Sequence, residues 1–226
     1  AIHWMITPNF RHGNEMDRSR TPFDEHRYQH RGYAKYADIV RLYGWEAYTG
    51  AAHQVQLDAE AGVQGAGSNL AGYGYQARTL RLSIAAGVDL TPLIHFWGHH
   101  PLTPSQLAAE IQSHALGPSV KVRCLLVRYR QLVPTDNQEF NLFFERIWPG
   151  RPIVFSDDTR YGRGWYNVWR DNYNESHGRA ARAQIDQLLV GYFGNSSGSG
   201  CAGVDTGGPG IDVPRPTAYQ WLARFY

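Results

Sequence analysis

Two histidines four residues apart, His26 and His30, are the first residues whose spacing could support chemistry. On a helix this spacing places both imidazoles on one face, where they could bind one zinc ion. In a His-Glu-x-x-His zinc helix the second residue is the glutamate that acts as general base, whereas this chain has Arg27 there. A guanidinium repels the metal and cannot accept a proton. We therefore favour two partly exposed histidines in a polar segment; a metal site completed by Glu15 or Glu25 stays the alternative.

Two further histidines, His99 and His100, follow Gly98, a residue expected to end a helix. A protonated imidazole at a helix C-terminus interacts favourably with the helix dipole. As metal ligands the two histidines lack a defined third partner, so a capping or surface position is favoured. Trp97, just before them, is expected in the core, and it is kept with the two histidines as a candidate for substrate binding.

Residues 151–175 are rich in aromatic side chains, among them Trp165 and Trp169. Exposed rings flanked by carboxylates and amides can bind sugars by stacking on them, so both tryptophans are candidates for substrate binding. The favoured alternative is that they form the buried face of another helix. Asp157 and Asp158 are adjacent, and adjacent residues on a strand point in opposite directions, so they give no evidence for a glycosidase pair.

The elements that must position these groups are short amphipathic helices. Tyrosine, alanine and valine recur with helical spacing from Tyr33 to Tyr43, Gly44 is expected to end that helix, and Trp45 begins the next. The sequence predicts a mainly α fold, a bundle of short helices with aromatic-rich corners, in which residues 153–155 could form a small β element. The residues predicted for the core are Tyr36, Val40, Trp45, Leu80, Ile84, Leu93, Trp97, Leu125, Phe144, Ile185 and Leu189.

Helix ends are signalled along the rest of the chain. Gly87 is expected as a left-handed C-cap, Ser119 and Thr135 as N-caps, and Gly194 as the end of the clearest amphipathic helix. The boundaries divide the chain into an irregular segment (1–32), a helical domain (33–150), an aromatic-rich extension that ends in a helix (151–194), and a Gly/Ser-rich loop with a short C-terminal helix (195–226).

Two segments, ADIVRLYGWEAY and LSIAAGVDLTPLIHFWG, resemble the C-terminal helical half of the enhancin-like, mucin-degrading zinc metallopeptidases. In that family, an aromatic-Gly-Trp-Glu corner precedes a helix and an Asn/Asp-Leu-Thr-Pro…Phe-Trp-Gly motif. The resemblance covers about Tyr33–Leu102 and implies a secreted enzyme that acts on glycosylated proteins. The family's zinc ligands and base come from a His-Glu-x-x-His helix and a downstream glutamate, and this sequence contains no His-Glu-x-x-His.

The resemblance therefore leads to two expectations. In the first, the chain is the helical C-terminal part of a secreted zinc metallopeptidase that acts on mucin-type proteins, and the zinc site lies upstream or on a separate chain. In the second, it is a non-catalytic module that binds glycans or proteins, or a structural assembly module, on the same scaffold. Zinc is the implied cofactor of the catalytic half, a glycoprotein or glycan is the implied partner, and the implied location is extracellular or at the cell surface.

Composition and charge narrow the partner classes. The formal charge is only +2, and the basic residues are scattered among acids and aromatics, which argues against a nucleic-acid groove. No run approaches the roughly 18 apolar residues that span a bilayer, so no membrane span is expected. The two cysteines, Cys124 and Cys201, allow one intramolecular bridge or two free thiols, and the secreted habit of the family raises the weight of the bridge.

Overall fold

The chain folds into short helices joined by tight corners. The computed structural model describes residues 29–63, 75–97, 104–147, 175–195 and 197–206. Its helices are α1 (Gln29–Tyr43), α2 (Trp45–Glu60), α3 (Tyr75–Ala86), α4 (Thr91–Phe96), α5 (Pro104–Ser113), α6 (Val120–Leu132), α7 (Asn137–Ile147) and α8 (Glu175–Phe193).

The prediction of a mainly α fold is confirmed. Within the described ranges there is no strand, and the one β-type contact is an isolated bridge in which the Asp89 amide donates to the Gly117 carbonyl at 2.9 Å. The β element suggested for residues 153–155 lies outside those ranges. No helix that the structure describes is long and apolar enough to cross a membrane.

One cluster of buried side chains draws on every described helix except α5. Helix α2 packs against α1 and α3, and α8 packs against α6 and α4. Helix α5 instead packs its Leu107 and Ile111 on Leu80 of α3, in a small second cluster. The main cluster runs from α1 to α8, so the last described helix buries its apolar face in the same core as the first.

Glycines end three helices where the sequence predicts. Gly87 follows α3 with φ +69°, and Gly194 follows α8 with φ +79°, values that glycine adopts without steric cost. Gly44 follows α1 with φ +83° and ψ 171°, a region open essentially to glycine alone. The Gly44 amide still donates to the Val40 carbonyl at 2.8 Å, so the chain turns only after the last helical bond. The α1–α2 corner is therefore fixed by one residue.

Two predicted N-caps give different results. The Ser119 hydroxyl accepts from the Val122 amide at 3.4 Å and caps α6, as predicted. The prediction that Thr135 caps α7 is wrong, because the cap is Asp136, whose carboxylate accepts from the Glu139 amide at 2.7 Å. The Glu139 carboxylate reaches back to accept from the Thr135 amide at 2.8 Å, which completes a reciprocal cap one residue further along than predicted.

The predicted buried face of α1 is wrong. Lys35, Asp38, Ile39 and Leu42 are the buried residues, spaced at i, i+3, i+4 and i+7. The predicted face does not lie in the core: Tyr36, Val40 and Tyr43 are half-buried and Ala37 is exposed. A tyrosine keeps its ring on the apolar boundary and its hydroxyl at the polar side, so a row of tyrosines marks the rim of the core rather than its centre.

Most of the other core predictions are confirmed. Leu93, Trp97, Leu125, Ile185 and Leu189 are fully buried, and Leu80 is buried in the second cluster. Ile84, like Tyr36 and Val40, is partly buried. Trp45 is the clear error, since it is 49% exposed at the start of α2. The side chain of Phe144 lies outside the described residues.

Candidate functional site

The structure tests only part of the sequence-based site. His26, His99, His100, Trp165 and Trp169 lie outside the described ranges, and His30 lies in α1 at a position whose side chain is outside them. Trp97 is the one candidate that the structure describes. Its side chain is fully buried and contacts Phe96, Tyr129 and Asp38, so it presents no ring face on which a sugar could stack. The proposal that Trp97 binds substrate directly is therefore corrected, because the side chain is part of the core.

A buried carboxylate, Asp38, lies at the point where α1, α4 and α6 meet. The indole N–H of Trp97 donates to Asp38 Oδ2 at 2.8 Å. The hydroxyl of Tyr129 donates to Asp38 Oδ1 at 2.7 Å and lies 2.8 Å from Oδ2. Phe96 stacks on the Tyr129 ring, with centroids 5.0 Å apart and planes 5° from parallel. We refer to Asp38, Phe96, Trp97 and Tyr129 as the Asp38 cluster.

Burial dominates the electrostatics of the Asp38 cluster. It raises the pKa of Asp38 to about 6, although the hydrogen bonds from Tyr129 and Trp97 and the charge of Arg41 all act in the opposite direction. Burial and the neighbouring carboxylate also raise the pKa of Tyr129 well above its usual value, so the phenol keeps its proton and remains a donor. The carboxylate thus accepts two strong hydrogen bonds in a medium that disfavours its charge.

A second ionisable group, Lys35, is buried one turn before Asp38. Its side chain is 1% exposed, and burial, with a smaller effect of the Arg78 charge, lowers the pKa of Lys35 to about 7. Its Nζ lies 5.0 Å from the centroid of the Tyr36 ring, a cation–π arrangement, and Arg78 Nη1 donates to the Tyr36 hydroxyl at 3.4 Å. Residues at i and i+3 lie on one side of a helix, so both ionisable groups belong to the buried side of α1.

The chemistry available to these groups is limited by their burial. Groups whose pKa lies near neutrality are suited to proton transfer, and perturbed pKa values often mark functional sites. Catalysis also requires a substrate within hydrogen-bonding reach, and Asp38 and Lys35 are 5% and 1% exposed. The Asp38 cluster therefore has a structural role: its hydrogen bonds hold α1, α4 and α6 together in the core. Sequence analysis missed both residues, although their spacing with Ile39 and Leu42 placed them on one helical face.

A partly exposed group of aromatic rings lies at the Gly44 corner. The half-exposed ring of Trp45 meets the edge of Tyr48 at 6.5 Å between centroids, and Tyr48 meets Tyr36 at 5.4 Å. The corner is held to α6, because the Tyr43 hydroxyl hydrogen-bonds to Ser119 and Lys121 Nζ donates to the Leu42 carbonyl at 3.2 Å. The half-exposed ring at this corner is thus Trp45, whereas Trp97 is buried.

A covalent link joins the chain after α8 to α6. Cys124 and Cys201 form a disulfide. The sequence allowed either this bridge or two free thiols, and the structure contains the bridge. The Arg123 guanidinium holds the same loop: it donates to the Ser197 carbonyl at 2.7 Å, the Ser199 carbonyl at 2.9 Å and Asn195 Oδ1 at 3.1 Å. We call Asn195 and residues 197–206 the strap.

A polar link also joins α4 to α8. His95 Nδ1 lies 3.0 Å from the Tyr192 hydroxyl, and the two rings meet edge to face at 5.8 Å between centroids. Burial, and secondarily the charge of Asp89, raises the pKa of Tyr192 to about 12, so the hydroxyl stays protonated. Helix α4 thus contacts α8 through His95 and α1 through Trp97.

Among the described residues, no group of three or more histidine, cysteine, aspartate or glutamate side chains could hold a metal ion. His26 and the side chain of His30 lie outside the described residues, so the zinc hypothesis for this pair stays a prediction. Comparison of the chain with protein-family models, curated proteins and solved structures gives no significant match in any of the three.

Proposed function

We propose that this chain is the helical, non-zinc part of a secreted metallopeptidase of the enhancin-like type, which acts on glycosylated, mucin-type proteins. In this proposal the zinc, its ligands and the general base lie outside these 226 residues, upstream or on a separate chain. The helices described above form a rigid wall beside the catalytic cleft. They fix the position of the substrate and take no part in bond cleavage.

The observation that carries the proposal is the hydrogen bond between Trp97 and Asp38. The two segments on which the resemblance rests contain one of these residues each, and the bond joins them in the core at 2.8 Å. The residues of a packing motif should meet one another, and these do. The fully buried Leu93, Ile39 and Phe96 from the same two segments belong to the same core cluster.

The disulfide supports the secreted part of the proposal. Disulfides form and persist in oxidising compartments and are rare in cytosolic proteins. The bridge between Cys124 and Cys201 joins residues 77 positions apart, so it stabilises the fold over a long stretch of chain. A protein that works outside the cell needs such stability.

The test is made on the complete natural polypeptide. We expect its reading frame to encode a His-Glu-x-x-His segment, and we expect the secreted product to carry one zinc ion. It should cleave a mucin-type glycoprotein, lose that activity to a chelator and regain it with zinc. The 226-residue chain alone should hold no stoichiometric zinc and cleave nothing. A complete product without the motif, or one that cleaves the substrate equally well after removal of its O-glycans, contradicts the proposal.

A second function, a non-catalytic glycan-binding module on the same scaffold, is favoured by the exposure of Trp45. Aromatic rings bind sugars through the apolar face of the sugar ring, and neighbouring polar groups bind its hydroxyls. Trp45 presents a half-exposed ring, and the exposed Glu46 carboxylate lies next to it over Gly44. This function requires no zinc and no further chain.

Binding of a mucin-type O-glycopeptide to the 226-residue chain tests the second function. The Trp45→Ala variant should lose roughly five- to tenfold in affinity, since stacking on an aromatic ring contributes on the order of 1 kcal/mol. Trp45→Phe should recover part of the lost affinity. Val190→Ala is the control: it removes an exposed apolar side chain from a different helix, α8, and should leave the affinity unchanged. Equal affinity of the wild type for the unglycosylated peptide rules the module out.

A further inference from the structure

The strap is held on α6 by two independent attachments. One is the Cys124–Cys201 disulfide, and the other is Arg123, whose guanidinium makes three hydrogen bonds to strap oxygens and lies 3.7 Å from Cys201 Sγ. Gly198 packs closely on α6, since a Cβ built there would lie 3.4 Å from Val127 Cγ1. Further along, Arg128 Nη1 donates to the Thr206 hydroxyl at 3.4 Å. These noncovalent contacts therefore define the position of the strap on α6 even without the disulfide.

The two sulfurs of the bridge have unequal surroundings. Cys124 lies within α6, is 3% exposed and belongs to the buried core residues of that helix. Cys201 lies on the strap, is partly accessible and has the Arg123 guanidinium beside its sulfur. Thiol–disulfide exchange requires an attacking thiolate to reach one sulfur directly, so accessibility decides which sulfur is attacked.

We propose that the disulfide is a redox-controlled attachment of the strap to α6, which is broken and re-formed by reaction at Cys201 Sγ. Arg123 is the positioning residue that keeps Cys201 close to Cys124 while the disulfide is reduced. On opening, an external thiolate attacks Cys201 Sγ, the Cys124–Cys201 bond breaks, and Cys124 leaves as a thiolate that takes a proton. A second external thiolate then attacks the external sulfur of the mixed disulfide, the bond to Cys201 Sγ breaks, and Cys201 leaves as a thiolate while the two external thiols leave as one disulfide. Closure is the reverse, with a small disulfide as oxidant.

Arg123 contributes in both directions. Its positive charge attracts the anionic thiolate that approaches Cys201 and stabilises the negative charge on Cys201 once the sulfur is free. Its hydrogen bonds to Ser197 and Ser199 are made to backbone carbonyls, so they persist when the bridge is reduced. The strap thus stays near Cys124, and closure is an intramolecular step with a high effective concentration.

The test compares the two cysteines one at a time. In Cys124→Ser the remaining Cys201 should form a mixed disulfide with oxidised glutathione at least about tenfold faster than Cys124 does in Cys201→Ser, because only Cys201 is accessible. Both should react alike after denaturation. In the unmodified chain, partial reduction with glutathione followed by acid quenching should place glutathione on Cys201. Equal native rates, or glutathione found mainly on Cys124, overturn the proposal.

The role of Arg123 is tested in the Cys124→Ser background. Arg123→Gln should slow the reaction of Cys201 by roughly threefold or more at low salt, and this difference should shrink at high salt, where charges are screened. Arg179→Gln, which removes an exposed arginine of α8, is the matched control and should leave the rate unchanged. In the chain that keeps both cysteines, hydrogen exchange in residues 197–206 should rise on reduction, and it should rise further when the Arg123→Gln variant of that chain is reduced. An unchanged rate, or unchanged exchange on reduction, overturns the proposal.

Discussion

The indole N–H of Trp97 donates to the carboxylate of Asp38 across 59 residues of sequence, at 2.8 Å and with both side chains buried. The same carboxylate accepts from Tyr129, 91 residues away. One acidic side chain thus sets the relative positions of α1, α4 and α6. An apolar side chain in its place could pack between the helices, but it would leave two buried donors without an acceptor.

The first prediction separates the acceptor role of Asp38 from its charge. Asp38→Ala leaves the Trp97 and Tyr129 donors unsatisfied, and each buried unsatisfied group costs about 1–3 kcal/mol, so we expect a loss of about 3 kcal/mol in the free energy of unfolding. Asp38→Asn keeps one carbonyl acceptor and should lose less than half as much. Urea denaturation followed by tryptophan fluorescence at pH 7 gives both values. Equal losses in the two variants would show that the negative charge of Asp38, which both variants remove, explains the cost, and not the number of acceptors.

The second prediction concerns pH. The pKa of Asp38 is raised from its ordinary value near 4 to about 6 in the folded chain. The native state therefore binds a proton more tightly than the unfolded state. The stabilisation that comes from protonated Asp38 is therefore fully present below pH 4 and is lost as the pH rises through 6. The free energy of unfolding falls by about 3 kcal/mol over that range. Asp38→Asn should flatten that part of the stability curve. A difference between wild type and variant that is constant from pH 4 to 7 contradicts the raised pKa.

Local features of this fold could be predicted from the sequence, because they depend on a few adjacent residues. Gly44 and Gly194 end helices because only glycine takes their positive φ without cost, and Ser119 caps α6 through a bond to a residue three positions away. The burial of Leu125 in α6 was also predictable, since one face of that helix is aliphatic. Each of these results needs no knowledge of distant parts of the chain.

The candidate site could not be predicted, because it depends on contacts between distant residues. Hydropathy assigns Lys35 and Asp38 to the surface, and only the hydrogen bonds of Trp97 and Tyr129 make a buried aspartate tolerable. If those two charges are assigned to solvent, the pattern predicts that the tyrosines of α1 face inward. The error on Trp45 has another cause: an aromatic residue at a helix start gives no local sign of the side that it faces.

The third prediction compares two glycine substitutions. Gly44→Ala puts a Cβ at φ +83°, and that Cβ would lie 2.5 Å from Glu46 Oε2, so the carboxylate must move as well. With ψ 171° this backbone region is open essentially to glycine alone and costs another residue about 1–3 kcal/mol, so we expect a loss of that size. Gly191→Ala is the control: Gly191 lies inside α8, its Cβ would meet nothing within 4 Å, and the change should stabilise the chain by roughly 0.5–1 kcal/mol. If both variants shift the midpoint of thermal unfolding in the same direction, this prediction is wrong.

The last prediction concerns the stability that the bridge provides. Cys124 and Cys201 close a loop of 77 residues that contains α7 and α8, so the bridge restricts the unfolded chain over a third of its length. Loop-closure entropy gives about 4 kcal/mol for a loop of this size, and the double variant Cys124→Ala/Cys201→Ala should lose about that much in urea denaturation. Wild-type chain held reduced by excess reducing agent is a second route to the unbridged state. Arg123 and the core contacts of Leu188 and Leu189 remain in both, so α8 should stay folded below the lowered midpoint. A loss below about 1 kcal/mol would mean that the unfolded chain already keeps these two segments together, since the bridge would then remove little entropy.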